Sequence, residues 1–161
     1  MSKVTHIAAI VLLGALQGAQ ASAWDYREDA DRMTGKKTRT AVMKSDNSLR
    51  LQFPYHGTNY GYVQVRQHPT YGLDVIVYVD KGQILCSQVT TCTVRVRFGD
   101  GQPLTFSGSP SADHDSTTVF LNNPRRFIEQ AKKHQRLAIQ LSMYQAGDQI
   151  LEFSVPAALK W

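Results

Sequence analysis

Cysteine is scarce in this chain: only Cys86 and Cys92 carry a thiol among 161 residues. A zinc site takes about four ligands, and no second Cys or His pair stands at the spacing that would complete one. The C-x-x-C spacing of thiol redox catalysts is absent too, since five residues separate the two thiols. There is no Gly-rich phosphate loop and no dinucleotide fingerprint. There is no G-x-S-x-G nucleophile elbow either. The thirteen acidic residues are scattered, and only Asp113 and Asp115 sit close together. Hydrolysis of cell-wall glycan or peptide needs convergent carboxylates or a metal cluster in a cleft. After residue 23 no apolar run approaches the roughly 20 residues that span a bilayer. Internal repeats, low-complexity tracts and linkers are likewise missing, which predicts a single domain over residues 24–161.

The first 23 residues have a different character. Lys3 supplies a positive start, Ile7 to Leu16 forms a short apolar run, and Ala21-Ser22-Ala23 places small residues where a signal peptidase reads. This layout predicts a secretory signal peptide over residues 1–23. The mature chain would begin near Trp24 and be periplasmic or secreted. Losing Lys3 with the leader lowers the formal charge from +5 to +4. That mild positive bias suits acidic glycans, lipid headgroups or acidic proteins.

Export gives the two thiols a meaning. In an oxidising compartment a pair of cysteines is a disulfide candidate. "QILCS" and "CTVRVRF" read as two strand arms and "QVTT" as the turn between them, so Cys86 and Cys92 are expected to staple a hairpin. In the second arm Cys92, Val94, Val96 and Phe98 share the core face, while Thr93, Arg95 and Arg97 share the other. Closing so short a loop stabilises by roughly 2–2.5 kcal/mol in the chain-entropy model.

Further strands are expected in "TRTAVMKS", "SLRLQFP", "YGYVQVRQH", "GLDVIVYVDKG", "PLTFSG", "STTVFL", "RLAIQLSMY" and "ILEFSVP". One segment breaks the alternation. "NNPRRFIEQAKKHQR" offers Asn123 as N-cap, Pro124 at the first helical position and a stripe of Phe127, Ile128 and Ala131. A helix of about three turns is predicted there. The fold class is therefore mainly β: an antiparallel β-sandwich or partly open barrel with one α-helix near the C-terminus. The segment from Asp25 to Arg39 is polar, and an ordered arm, a short helix and a flexible lead-in all fit it.

Residues that could carry chemistry are few. Asp113, His114 and Asp115 read best as a solvated turn, given their Ser, Pro and Gly neighbours. His56 and His68 read as surface or loop residues. Phe53, Tyr55, Tyr60 and Tyr62 cluster near Gly57 and Gly61; such aromatics suit stacking on sugars or lining a partner site, but the plainer reading has two of them fill the core and the others edge the sheet. Arg66, Arg95 and Arg97 point to the non-core side of their strands, with Tyr62 and Tyr78 on the same parity. If those strands are neighbours, Arg66, Tyr78, Arg95 and Arg97 make a cationic face for carboxylates or phosphates. Cross-strand pairing with Asp74 is the plainer role for the same parity. No catalytic residue, metal or cofactor is implied, and export disfavours nucleic acid as a partner.

The order of several segments adds a resemblance. Trp24 is followed by "DADRMTG" (residues 29–35), "GYVQVR", "VRVRF", "RRFIEQAKKHQRLAIQL" and a closing "EFSVPAAL". This order resembles the small exported β-domains that include type VI secretion accessory proteins of the VasI/TagO kind, and is similar to other exported or prophage-encoded proteins. The resemblance implies that these residues determine the fold, and it transfers no catalytic residue. The expected function is a non-enzymatic periplasmic or secreted binding protein, such as an envelope or secretion-system accessory factor, with an envelope protein or an anionic cell-wall polymer as partner. An inhibitor or immunity-like protein and a cell-wall hydrolase are the alternatives.

Overall fold

The computed structural model describes residues 23–87, 89 and 92–161. The predicted leader lies almost wholly outside these residues, as does most of the "QVTT" turn. Nine strands and one helix follow in the order β1 (Asp25–Ala30), β2 (Lys37–Ser48), β3 (Tyr60–His68), β4 (Gly72–Val79), β5 (Cys92–Phe98), β6 (Leu104–Pro110), β7 (Thr118–Leu121), α1 (Pro124–Ala131), β8 (Arg136–Met143) and β9 (Gly147–Ser154). All strand pairs are antiparallel and belong to one sheet, ordered β1-β2-β3-β4-β7-β6-β5-β8-β9. The chain is thus mainly β with a single helix among the described residues. Most of the predicted strands appear, and on β5 the predicted parity holds: its residues alternate buried and exposed without exception.

The sheet curls until β9 reaches β2, and β2 is long enough to serve two neighbours on one edge. Its first half pairs with β1 through Asp25↔Val42 to Ala30↔Lys37. Its second half meets β9 through a side chain. Asn47 Nδ2 donates to the Ile150 carbonyl (2.8 Å) and the Glu152 amide donates to Asn47 Oδ1 (2.8 Å). One amide side chain thereby satisfies two backbone groups on the β9 edge. The ladder between β2 and β3 is interrupted between Lys44 and Ser48. There the buried Ser45 hydroxyl accepts from the Gly61 amide (3.0 Å) and donates to the Asn47 carbonyl (2.7 Å). Gly61 is required for packing as well, because a Cβ there would fall 2.2 Å from Leu151 Cδ1 on β9.

Inside the curl lies one continuous core, including Val63, Val65, Val75 and Val77 from β3 and β4 and Ile139, Leu141, Leu151 and Phe153 from β8 and β9. The helix packs on this core through the fully buried Phe127, which meets Phe98 and Phe106 edge-on at 5.3 and 6.2 Å between ring centroids. Asn123 caps it as expected, its side chain accepting from the Arg126 amide (3.3 Å). The helix is shorter than three turns. Its last carbonyls are taken from outside: His134 Nδ1 lies 2.9 Å from the Gln130 carbonyl, and the Leu159 amide donates to Ala131 (3.2 Å).

Three local expectations need correction or completion. "SLRLQFP" is not a strand beyond Ser48. Leu49 and Leu51 still point inward, but the segment turns at Pro54, which has no N–H to donate to a ladder. Cys86 and Cys92 are disulfide-bonded, yet "QILCS" is not a hairpin arm. β6 pairs with Cys92–Val96 and β8 with Arg95–Phe98, while the end of β8 takes the crossing segment instead, through an Ile84–Met143 bridge and a bond from the Leu85 amide to the Ser142 carbonyl (2.8 Å). The staple ties the start of β5 to this crossing segment. Finally, the charged lead-in is a hairpin of β1 with β2. All six β1 residues are exposed and four are charged, a composition that blunts an edge strand against stray pairing.

Candidate functional site

Arg66, Tyr78, Arg95 and Arg97 all take the non-core side of their strands, but they do not form one surface. Arg66 on β3 and Tyr78 on β4 are on adjacent strands, whereas β7 and β6 stand between β4 and β5. Four strand spacings of ~4.8 Å place β5 about 19 Å along the sheet from β3. Two outer faces result.

On the β5-β8-β9 face, Arg95 and Arg97 are both exposed. Among the described residues no carboxylate stands within ion-pair distance of either; Arg95 Nη1 donates to the Gln140 side chain (3.2 Å). Register explains the relief of this face. Arg97 sits opposite Ala138, which sits opposite Glu152. The short Ala138 side chain between two long ones leaves a dip, shared by two shallow depressions of about 220 and 210 Å³. Arg136 flanks it, already paired with Asp100 at 2.6 Å.

The second face crosses β1 to β4. Arg66 is committed there to a cross-strand ion pair with its register partner Asp74, at 2.6 Å, the plainer of its two predicted roles. Beside it Tyr62 and Tyr78, also register partners, stack with centroids 4.9 Å apart and planes 10° from parallel. Burial pushes both phenols above their ordinary pKa, and the Asp80 carboxylate raises them further. Thr40 and Val42 on β2 are short, while Arg27 on β1 and the two tyrosines are long. A trough of about 510 Å³ therefore runs over β2 between these walls. Its β1 wall escaped the sequence reading. The signal was there, since Asp25, Arg27 and Asp29 alternate on one strand face, but the segment was not recognised as a strand.

The remaining candidates are structural. Asp113 and Asp115 lie in the turn between β6 and β7, where Asp115 accepts from Thr117 and Thr118. These bonds hold its carboxyl below the ordinary range. His68 Nδ1 accepts from the Thr70 and Tyr71 amides, and His56 is exposed beside Phe53. Tyr55, Tyr60 and Tyr62 are half-buried and Phe53 is exposed; none is fully buried, and Tyr55 packs against the edge of the core. Among the described residues no group of three or more His, Cys, Asp or Glu is placed to hold a metal ion, and no helix is long and apolar enough to cross a membrane. Comparison with protein-family models, curated proteins and solved structures finds no match to the chain.

Proposed function

We propose that this is a non-catalytic binding protein of an oxidising compartment outside the cytoplasm, which holds an acidic partner on its β5-β8-β9 face. The observation that carries this reading is the pair Arg95 and Arg97: exposed, on one strand face, and free of carboxylate partners among the described residues. Guanidinium groups in that state are ready for bidentate contact with carboxylates or phosphates. An envelope protein or an anionic cell-wall polymer supplies such groups. The disulfide supports the compartment, as does the leader pattern of residues 1–23. A place as a secretion-system accessory factor rests on the resemblance in segment order.

The test is Arg95→Ala combined with Arg97→Ala. Exposed substitutions leave stability within about 0.5 kcal/mol each, so the melting temperature should hold. Capture of the partner from envelope extract or purified anionic cell-wall polymer should fall by about 30-fold or more, the equivalent of ~2 kcal/mol at a desolvated charge contact. Binding by the unaltered protein should weaken with added salt. Equal binding by the variant and the unaltered protein would refute the assignment.

A further inference from the structure

The trough over β1 to β4 is independent of the arginine face and has a different chemistry. We infer that it is a saccharide-binding site, built to take an uncharged sugar ring against the Tyr62–Tyr78 pair.

Four observations lead there. The first is rigidity. Tyr62 stacks on its register partner Tyr78, and both rings are half-buried. The Asp80 carboxylate, which raises both phenols, is fixed by accepting from the Tyr60 amide (2.8 Å). An aromatic wall held by stacking and half-burial loses little freedom when a ligand arrives, and that preorganisation favours binding. The second is shape. Thr40 and Val42 leave an open lane of about 510 Å³ between long side chains, within the range of small-ligand sites.

The third observation is the kind of polar group on the rim. Carboxylates (Asp25, Asp29), a guanidinium (Arg27) and an amide (Gln64) are planar groups that present two hydrogen-bonding atoms side by side. Vicinal hydroxyls on a sugar ring present the complementary pair, while the ring's C–H face suits the apolar face of tyrosine. The fourth is charge balance. Arg27 is paired with Asp25 at 2.6 Å, Lys44 lies 3.4 Å over the Tyr60 ring, and Asp29 offsets the remaining cation. The trough has no net charge with which to attract an ion. An uncharged ligand with one apolar face and hydroxylated edges answers all four features.

Saturation-transfer NMR on the purified protein, with cellotriose, maltotriose and chitotriose as probes, tests the inference. At least one triose should receive transfer, with a Kd of about 1 mM or tighter. Tyr62→Ala should weaken it about tenfold. Because Tyr62 is half-buried, Thr40→Trp provides the second variant: it fills the lane without touching the stacked pair and should also abolish transfer at unchanged melting temperature. Arg95→Ala with Arg97→Ala should leave triose binding intact, which separates this site from the acidic-partner face. The inference is overturned if none of the three trioses binds or if Thr40→Trp binds as well as the unaltered protein. It is also overturned if a hexuronic acid trisaccharide binds more tightly than every neutral probe in a salt-sensitive way.

Discussion

Gly61 and Leu151 offer a direct test of how the curled sheet packs on itself. Gly61 is on β3 and Leu151 on β9, and β2, which Asn47 ties to β9, pairs with β3. A Cβ on residue 61 would stand 2.2, 2.4 and 2.8 Å from Leu151 Cδ1, Cδ2 and Cγ, where ordinary carbon contacts begin near 3.5 Å. Leu151 is fully buried and cannot swing into solvent. Gly61→Ala should therefore cost about 1–3 kcal/mol as an overpacking change, even though alanine restricts the unfolded chain more than glycine does. Leu151→Ala alone should cost about 2–5 kcal/mol, as the loss of a buried leucine with a residual cavity. In the double variant the new methyl occupies space that the leucine vacated. The clash disappears and part of the cavity is filled, so the two costs should fall short of their sum by about 1–3 kcal/mol. Urea unfolding reads this from the midpoints at constant m-value. Additivity within about 0.5 kcal/mol would mean that β3 and β9 do not meet across the core, and the packing of the curled sheet described above would be wrong.

Asn47→Ala removes two hydrogen bonds from the seam but leaves the freed groups near solvent, so it should cost only about 1–2 kcal/mol and speed amide exchange at Glu152; protection there equal to the unaltered protein would refute the bridging role. Removing the staple with Cys86→Ser and Cys92→Ser should cost roughly 2–2.5 kcal/mol. Gly108→Ala, whose Cβ would lie 2.7 Å from Cys92 Sγ and 2.7 Å from Val119 Cγ2, should cost about 1–3 kcal/mol with the disulfide present and less without it; equal cost on both backgrounds, read from urea midpoints, would show that the sulfur is not what excludes a side chain there. Tyr62 and Tyr78 are held above the ordinary phenol value of 10.0 by burial and by Asp80. Their contribution to stability is complete below pH about 10 and is lost as pH rises through their folded values. In a phenolate absorbance titration Asp80→Asn should bring those two tyrosines down, and seven tyrosines titrating together in the unaltered protein would refute the shift.

What could be read from the sequence was local. The apolar alternation of Cys92, Val94, Val96 and Phe98 placed Arg95 and Arg97 outward, and the Asn123-Pro124 pair placed the helix start. What could not be read was adjacency. The order β4-β7-β6-β5-β8 is set by which apolar faces meet in the core, so nothing in "YGYVQVRQH" or "CTVRVRF" reveals that two strands will stand between β4 and β5. For the same reason "QILCS" reads as a partner for β5, although its Ile84 and Leu85 bond the end of β8. Asn47 is invisible as a seam residue because its partners lie over a hundred positions away on β9, and Ser45 because its role depends on a break in the β2–β3 ladder. The trough was half legible: its aromatic wall was noted residue by residue, but β1 was not recognised as a strand, so the opposite wall had no place.

The two outer faces follow from a single property of a curled sheet. Core parity is taken mainly by apolar residues on the strands that face the core, so chemistry is confined to the outward parity, and curling makes separate stretches of that parity look in different directions. Relief then depends on small residues among large ones. Ala138 between Arg97 and Glu152 opens the dip on one face, and Thr40 with Val42 opens the lane on the other. The faces differ in how their charges are settled. On β1 to β4 the cations are already answered by Asp25, by Asp74 or by the Tyr60 ring, which leaves hydrogen bonding and stacking as the available recognition. On β5 Arg95 and Arg97 are in no ion pair among the described residues, although Glu152 lies across Ala138 from Arg97, which leaves charge. The staple and Gly108 hold the start of β5, with Arg95 three residues beyond Cys92. The same device that secures the fold thus steadies the strand on which the proposed acidic partner would bind.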